Sequence, residues 1–446
     1  MLGYRGSVAS SIRRAGAFAL CGTLSIAAPA VGRGTVVFFA AVAAASLFVI
    51  DEGFLFDLFA RSADREDRTL YSLAAFSLAV AGLAILATLF GMSVSVFVAS
   101  VLVLSYGNLG ERIVRTRRHS GAAPAVGFVV GGTLAAVAGQ AAVLAIEGAS
   151  TAAVVDALPT ISFLAASGAL LGALLRTVLF ARDDPLTMLS VGLLLWFFAE
   201  ISVPLSALDV AIALSLTATL GALSYGLGTA SVAGALTGTV LVLSTIVLGG
   251  YDWFAILVTF FGVGSLAAKY RLEEKRERGI AEPNEGARGS ANVLANAAVA
   301  LGAVLAFAAS SLLPVAPAAF LFAFSGSLAA AMADTLSSEL GGLFDGPRLV
   351  TTFERVPPGT DGGVTWQGEL AGLAGATLIA AITGGVFESV GASGVAVIAA
   401  AGAVGMTVDS LLGATIEPRL GNQGVNFLAT LAAALVATVT VLAVGL

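Results

Sequence analysis

Two clusters of acidic and hydroxyl-bearing residues lie at the ends of long apolar runs in this chain. The first reads MADTLSSELG over 332–341, and the second begins VDSLLGATIE at 408. An ionisable side chain at the edge of a bilayer-length apolar segment is costly unless it is paired, hydrated or bound to a cation. Because Asp334 and Asp409 both occupy such positions, they predict a functional site.

The first cluster has the spacing of a cation site. Asp334 and Ser338 are one helical turn apart, as are Thr335 and Glu339, so a helix would present carboxylate and hydroxyl oxygens on neighbouring faces. Mg²⁺ is usually held by a few carboxylates together with substrate phosphates and water. The predicted metal ligands are Asp334, Ser338, Glu339 and Asp409. The alternative is a helix end whose carboxylates only face water.

A glycine-rich polar loop, PPGTDGGVTWQGELAG at 357–372, separates the two clusters. Glycines such as Gly362 and Gly363 let backbone amides approach an anion, and a helix that begins near Gly368 would point its positive end at the same anion. The loop, with Glu369 beside it, is therefore predicted to bind phosphate. It is not a Walker sequence, and an ordinary tight turn has a similar composition.

Amide side chains enter the membrane just after a charged loop. Asn292 and Asn296 are four residues apart and share a helical face, with Arg288 one turn earlier. Such amides ligate a cation or hydrogen-bond phosphate without adding charge. Interhelical hydrogen bonding is an equal alternative.

Three further polar residues complete the set of candidates for nucleotide or phosphate binding. Lys269 ends an apolar run, where it would contact phosphate or simply snorkel to the membrane interface. Asn422 and Asn426 follow the second acidic cluster, in the next loop and helix start. They extend the predicted site beyond Asp409.

The composition shows which elements must position these residues. Hydrophobic residues make up 58% of the chain and charged residues 11%, against about 25% charged in a soluble domain, and the mean hydropathy is +0.98. The prediction is an all-α, polytopic transmembrane helical bundle of about fifteen helices. Stretches of spanning length, roughly 17 to 25 residues, lie near 15–31, 35–50, 70–89, 91–106, 122–146, 153–175, 186–203, 207–224, 228–249, 252–268, 291–313, 315–333, 369–389, 393–415 and 425–446.

Basic residues predict the orientation of the bundle. They gather before the first expected span, as at Arg13 and Arg14, after the fourth, as at Arg112 and Arg115, and after the tenth, as at Lys275. All of these segments fall on one side of the bundle. The positive-inside rule makes that side cytoplasmic, with the N-terminus inside. The acidic clusters and the glycine loop would then face the cytoplasm from the plasma membrane.

Polar motifs are distributed unevenly along the chain. Residues 1–205 contain six or seven expected helices with few polar residues inside them, whereas residues 206–446 carry nearly every motif. The single Cys21 excludes a disulfide framework. We therefore predict two parts, of which the second holds the function.

The order of the motifs in the second part resembles a known family. FFGVGSLAAKY, RGSANVLAN, SLAAAMADTLSSELG, PPGTDGGVTWQGELAG, VDSLLGATIE and GNQGVN follow one another within 210–446. This succession resembles an integral membrane family long labelled as of unknown function, whose plant members are phytyl-phosphate kinases of tocopherol synthesis. The resemblance implies transfer of a phosphoryl group from a nucleoside triphosphate to a prenyl monophosphate.

The family is also similar in motif style to the polyprenol kinases, including dolichol and phytol kinases, which favour CTP. Against that background the stretch 99–136 looks like a degenerate copy of such a site, with Asn108 near where an aspartate would stand. The first part of the chain is then a decayed duplicate that serves as scaffold. Generic packing through small residues is the alternative.

The resemblance implies a mechanism of in-line phosphoryl transfer. Asp334 and Asp409, with Glu339 nearby, would hold Mg²⁺ on the triphosphate of CTP or ATP, because charge neutralisation and positioning supply most of the catalysis in such reactions. Lys269, Arg288 and the glycine loop would contact the phosphates. The expected partners are the bilayer, a phytyl or geranylgeranyl phosphate and the nucleotide, and no nucleic acid. If the source is archaeal, geranylgeranyl phosphate is the natural substrate.

Two other classes of protein remain open. A transporter also uses aspartates and asparagines between broken helices, but it needs them near the bilayer centre. A CTP-dependent lipid cytidylyltransferase would use a similar site and release pyrophosphate. The sequence separates this last class from a kinase poorly.

Overall fold

The computed structural model confirms an all-α membrane protein. It describes residues 2–118, 120–179, 184–201, 205–281 and 287–445. Within these residues, twelve helices are long and apolar enough to cross a membrane, or up to thirteen if one bent pair counts as a span. The chain divides into two compact units, Met1–Leu214 and Ser215–Leu446, which we call unit 1 and unit 2.

Unit 1 is built around one deeply buried helix, α7, which packs against α1, α8, α9 and α10. A short 3₁₀ turn, Leu24–Ala27, follows α1, and α11 crosses the division between the units. The helices are α1 Leu2–Thr23, α2 Ala28–Val31, α3 Gly34–Phe48, α4 Gly53–Phe59, α5 Ser62–Asp67, α6 Tyr71–Leu89, α7 Val94–Arg115, α8 Ala123–Ile146, α9 Thr151–Val178, α10 Asp184–Glu200 and α11 Ala207–Gly226.

Glycines bring α7 and α8 into backbone contact. A Cβ atom on Gly110 would lie 2.2 Å from the carbonyl oxygen of Gly127, and one on Gly131 would lie 2.8 Å from that of Tyr106. Small residues four apart are the usual device for close helix packing in membranes, where hydrophobic driving force between helices is absent. The two helices therefore form a tight pair within unit 1.

Unit 2 is built around α16, 83% of whose spanning segment is buried. It packs against α13, α15, α17 and α18. Two short antiparallel strands lie in the segment between α16 and α17, with Arg348 opposite Val364. The elements are α12 Val232–Gly249, α13 Tyr251–Lys269, α14 Leu272–Glu277, α15 Ser290–Ala308, α16 Pro317–Gly341, β1 Arg348–Leu349, β2 Gly363–Val364, α17 Trp366–Val386 and α18 Gly391–Val444.

The long helix α18 is a hairpin of two arms. Its backbone leaves helical geometry at Gly421, where φ is 71° and ψ is 159°, just after Pro418. A Cβ atom on Gly405 would lie 3.0 Å from the Cβ of Ala433, so the chain folds back on itself at the break. The spans expected near 393–415 and 425–446 are these two arms.

Among the described residues, the twelve or thirteen spanning helices are fewer than the expected fifteen, for reasons of geometry. The hairpin α18 carries two expected spans in one helical run. Helix α10, expected near 186–203, has 17 residues and is at the short limit for crossing the bilayer. The span expected near 35–50 is α3, which continues into α4 through a bend of 99°.

Candidate active site

The predicted site residues of unit 2 largely surround one cavity of about 280 Å³. Its walls come from α15, α16 and α18 and from the segment between α16 and α17. Polar side chains and glycines dominate this lining. The predicted residues that line it are Arg288, Asn292, Asn296, Asp334, Ser338, Glu339, Gly362, Gly363, Asp409, Asn422 and Asn426.

Small residues bring the two aspartates together. A Cβ atom on Gly405 would lie 2.4 Å from the Cβ of Ala330, so α16 and the first arm of α18 touch at this level. Asp334 and Asp409 each follow one turn later on their helices, and their carboxyl groups lie within hydrogen-bonding reach of one another. Two carboxylates at this distance repel unless a proton or a cation lies between them.

The second arm of α18 completes this pair. With its amide nitrogen turned toward the acceptors, Asn426 donates to Asp409 Oδ1 at 3.2 Å and to Asn422 Oδ1 at 2.9 Å. Asn426 can meet Asp409 only because the helix folds back near Gly421. The break therefore positions one ligand-type amide directly against the carboxylate pair.

Helix α15 adds an acceptor that lacks a donor. The side-chain nitrogen of Asn296 donates to the backbone carbonyl of Asn292 at 2.9 Å. The Oδ1 atom of Asn292 is buried and has no hydrogen-bond partner among the described residues, although Asn292 lines the polar cavity. A buried polar atom of this kind requires an explanation, and a role in holding an ion is one of the usual ones.

The donor set fits Mg²⁺ with a polyphosphate. Among the described residues, no three His, Cys, Asp or Glu side chains converge closely enough to hold a metal ion by themselves. Two carboxylates, Asp334 and Asp409, with the Asn292 amide oxygen match the habit of Mg²⁺, which leaves further positions to phosphates and water. The cavity also contains Asp361 and Glu417. This excess of carboxylates would repel a polyphosphate that came without a cation.

Arg288 is held rigidly at the cavity wall. Its backbone N–H donates to the carbonyl of Thr229 at 2.9 Å, and its side chain is buried. The guanidinium lies 5.5 Å from the centre of the Phe260 ring and against Gly264. The sequence motif FFGVGSLAAKY pointed to Lys269, but Phe260 and Gly264 are the residues of that motif that contact Arg288.

Two predicted phosphate ligands are not part of the described cavity lining. Lys269 ends α13, and its Nζ lies 3.9 Å from where a Cβ on Gly228 would be. Glu369 lies in the first turn of α17 and is half-buried. Their contacts with phosphate stay predictions.

Glu339 has a partner that sequence reasoning missed. Lys275 Nζ lies 2.5 Å from Glu339 Oε2 and donates to the carbonyl of Ala267 at 2.8 Å. The Lys275 side chain is only 2% exposed. The run LEEKRE at 272–277 has the composition of a solvated loop, so nothing in its pattern marks its lysine as buried. The proposed metal or catalytic role of Glu339 stays a prediction beside this ion pair.

The glycine loop reaches the cavity by packing on α18. Gly362 has a φ of +71°, and a Cβ atom there would lie 2.7 Å from the carbonyl oxygen of Ser410. Gly413 faces it, because a Cβ on Gly413 would lie 3.1 Å from the Gly362 nitrogen. The helix expected to begin near Gly368 begins at Trp366, and Thr365 caps it by accepting from the Gly368 N–H at 3.1 Å.

Replacing Gly362 by alanine is expected to displace this loop. The positive φ alone costs roughly 1–2 kcal/mol for a residue with a Cβ, and the overlap with Ser410 adds to it. Gly346→Ala is the matched control, since Gly346 has a φ of +73° but a Cβ atom there would meet nothing within 4 Å. Apparent melting temperatures in detergent should fall further for Gly362→Ala than for Gly346→Ala. Equal losses would show that the close approach to α18 does not matter.

Comparison with known proteins gives the relatives of this chain. Residues 215–434 match the family described as integral membrane protein DUF92. An uncharacterized membrane protein of Methanocaldococcus jannaschii is 38% identical over 189 residues, which are 41% of this chain and 73% of that protein. Protein VTE6, chloroplastic, of Arabidopsis thaliana is 32% identical over 182 residues, 40% of this chain and 53% of that protein. Protein PGR of the same plant is 35% identical over 199 residues, 40% of this chain and 68% of that protein. No solved structure matches the chain.

Proposed function

This chain belongs to the DUF92 family of integral membrane proteins, and from that premise we propose that it is a prenyl-phosphate kinase. In this proposal a phosphoryl group passes from CTP or ATP to a phytyl or geranylgeranyl monophosphate. The similarity to the VTE6 protein supports a prenyl-phosphate kinase-like membrane protein. The motif resemblance described above supports the same class of reaction.

One observation carries the proposal. The Asp334–Asp409 pair and the unsatisfied Oδ1 of Asn292 line the same polar cavity of unit 2. Phosphoryl transfer needs little covalent chemistry from the protein and depends on positioning and charge neutralisation. A cavity with paired carboxylates, a buried arginine and a glycine loop supplies those two things.

We assign roles to the residues of the cavity on this basis. Asp334, Asp409 and Asn292 would hold Mg²⁺, which supplies charge neutralisation on the triphosphate when bound. Arg288 would hold a phosphate oxygen, and its contacts with α13 keep it in place. Asn426 would fix the orientation of Asp409. In this proposal the cavity faces the cytoplasm from a plasma membrane, an orientation that the positive-inside rule predicts from the basic residues of the sequence.

The bond changes need no strong general base. An oxygen of the prenyl monophosphate, already anionic, attacks the γ-phosphorus of the nucleotide. The bond between the γ-phosphorus and the β,γ-bridging oxygen breaks, and the leaving group is the nucleoside diphosphate. The products are a prenyl diphosphate and CDP or ADP.

A transfer assay tests the proposal. Purified protein is incubated with Mg²⁺, a prenyl monophosphate and either CTP or ATP labelled at the γ-phosphate. We expect label in a lipid diphosphate, abolished when EDTA removes Mg²⁺. The same assay with label at the α-phosphate identifies a cytidylyltransferase, because only that reaction puts the α-phosphorus into the lipid.

A carrier is the second candidate, because a helix broken beside paired carboxylates is also a device of transporters. Reconstituted vesicles distinguish it from a kinase. Uptake of a prenyl phosphate or of a cation without label in any lipid would favour transport. Neither transfer nor uptake by a monodisperse protein would contradict both proposals.

A further inference from the structure

A second cavity, of about 350 Å³, lies in unit 1 between α1, α4 and α7. Its walls include Gly16 and Leu20 of α1, Leu58 of α4, and Tyr106 and Leu109 of α7. These walls are almost entirely apolar. A volume of this size is within the range of about 300–1,000 Å³ in which proteins bind small molecules.

The cavity is a groove with one basic end. On α1 its lining runs along one helical face from Arg13 to Leu20, a distance of roughly 10 Å along the axis. Leu20 is 70% exposed, so the groove is open on its apolar side. The neighbouring α7 runs antiparallel to α1, because Gly22 packs against Ser105 while Arg14 lies near Arg112. Both helices therefore bring arginine to the same end.

That end collects more arginine than its carboxylates neutralise. Arg14 lies within electrostatic range of Arg61, Arg65 and Arg112, and also of the carboxylate of Asp64. Two members of this group are paired, Arg61 with a carboxylate oxygen of Asp184 at 3.1 Å and Arg65 with one of Asp57 at 2.8 Å. The nearby Asp64 accepts from the backbone N–H of Arg61 at 2.8 Å.

Among the described residues, three arginines at this end form no ion pair with a carboxylate. Arg14 donates to the carbonyl of Ala60 at 2.6 Å. Across the described ranges, no ion pair joins Arg13, Arg14 or Arg112 to a carboxylate. In a chain of net charge −6 this is a local positive site, directly beside an apolar groove.

We propose that this groove binds an anionic membrane lipid. The headgroup phosphate lies at Arg13 and Arg112, and one hydrocarbon chain follows Gly16, Leu20 and Leu109. The charge of the basic end selects an anion, and the apolar, membrane-facing walls select a ligand with a hydrocarbon chain. Arginine side chains at a span end reach the headgroup level and attract anionic lipids there.

Lipid retained by the protein tests the proposal. The full-length protein is reconstituted in vesicles of equal parts phosphatidylglycerol and phosphatidylcholine, extracted, and examined by native mass spectrometry. We expect bound phosphatidylglycerol to exceed bound phosphatidylcholine by roughly fivefold or more, since each basic residue at the surface contributes about a fivefold preference.

Two variants test the two ends of the groove separately. Arg13→Gln with Arg112→Gln should bring the lipid ratio toward one. Gly16→Leu should remove bound lipid of both kinds, because a Cβ there meets no atom within 4 Å and the longer side chain extends into the groove. Arg33→Gln removes one positive charge at an exposed position near the other end of the span and should behave as the wild type.

The ratio of bound phosphatidylglycerol to bound phosphatidylcholine in the wild-type protein can overturn the proposal without any variant. Equal retention of the two lipids would contradict selection by the basic end. If both variants retained the same lipids as the wild type, the groove would not be the lipid-binding site. Size-exclusion profiles identify a variant that fails to fold. In that case the other variant and the lipid ratio of the wild-type protein still test the proposal.

Discussion

Asp409→Asn is expected to lower the rate of prenyl-phosphate phosphorylation by at least about a hundredfold. Even residues that only orient metal ligands cost 10–100-fold in affinity or activity when they are changed, and we place Asp409 among the ligands themselves. The substitution keeps the shape of the side chain and its contact with Asn426. It removes one of the two negative charges that the metal would neutralise. Asp334→Asn should have a similar effect.

Stability separates this loss from a loss of fold. Asp409 and Asp334 repel one another when neither a cation nor a proton lies between them, so Asp409→Asn should unfold at the same temperature as the wild type or higher. Mg²⁺ with nucleotide should raise the melting temperature of the wild type, because a ligand that binds the folded state stabilises it, and should leave the variant unchanged. Asp345→Asn is the control, since Asp345 is an exposed carboxylate of unit 2 whose surface ion pair with Arg278 contributes little. Near-normal transfer by Asp409→Asn would remove this residue from the proposed site.

The meeting of the two aspartates could be predicted in part from sequence. Ala330 and Asp334 are four residues apart, as are Gly405 and Asp409. Small residues one turn before each aspartate permit close helix packing, which marks both helices as partners within a membrane. The sequence does not say which two helices pair. That follows from the fold, in which α16 packs against α13, α15, α17 and α18 and 83% of its spanning segment is buried.

Other parts of the cavity could not be predicted because they depend on distant contacts. The role of Gly362 was predicted from its flexibility, but its contact with Ser410 depends on a loop that folds back over α18. The sequence favours Lys269 as a phosphate ligand because this residue is charged and ends a span. Phe260 and Gly264, which contact Arg288, are apolar or small and are indistinguishable by composition from any other packing residues.

The burial of Lys275 could not be predicted from sequence either, although this residue is charged. A lysine in a short polar helix normally extends into water, and only the positions of Ala267 and Glu339 make this one buried. Its three acceptors come from two different helices, α13 and α16. The ion pair between Lys275 and Glu339 therefore holds α14 against the cavity wall.

Lys275→Met is expected to destabilise unit 2 by about 3–5 kcal/mol, because it leaves the largely buried carboxylate of Glu339 without its partner. For a unit of this size that corresponds to a fall of roughly 10 °C in the apparent melting temperature. Combining it with Glu339→Gln should restore most of the loss, since replacing both charges of a buried pair is often nearly neutral. Arg276→Met is the control, because Arg276 pairs with Glu273 at the surface. A double variant as unstable as Lys275→Met would contradict a pairwise interaction.

The stable double variant also decides the role of Glu339. If Glu339 is a metal ligand or a catalytic group, transfer needs it whether or not Lys275 is present. The double variant should then be folded but inactive. If the carboxylate only pairs with Lys275, the double variant is folded and active, and the carboxylates proposed to hold the metal reduce to Asp334 and Asp409. That result would agree with the structure, in which the packing of α16 on α18 brings Asp334 and Asp409 together. Transfer rates of the double variant, compared with those of Asp409→Asn, therefore separate the ligands of the metal from the residues that hold the wall of the cavity.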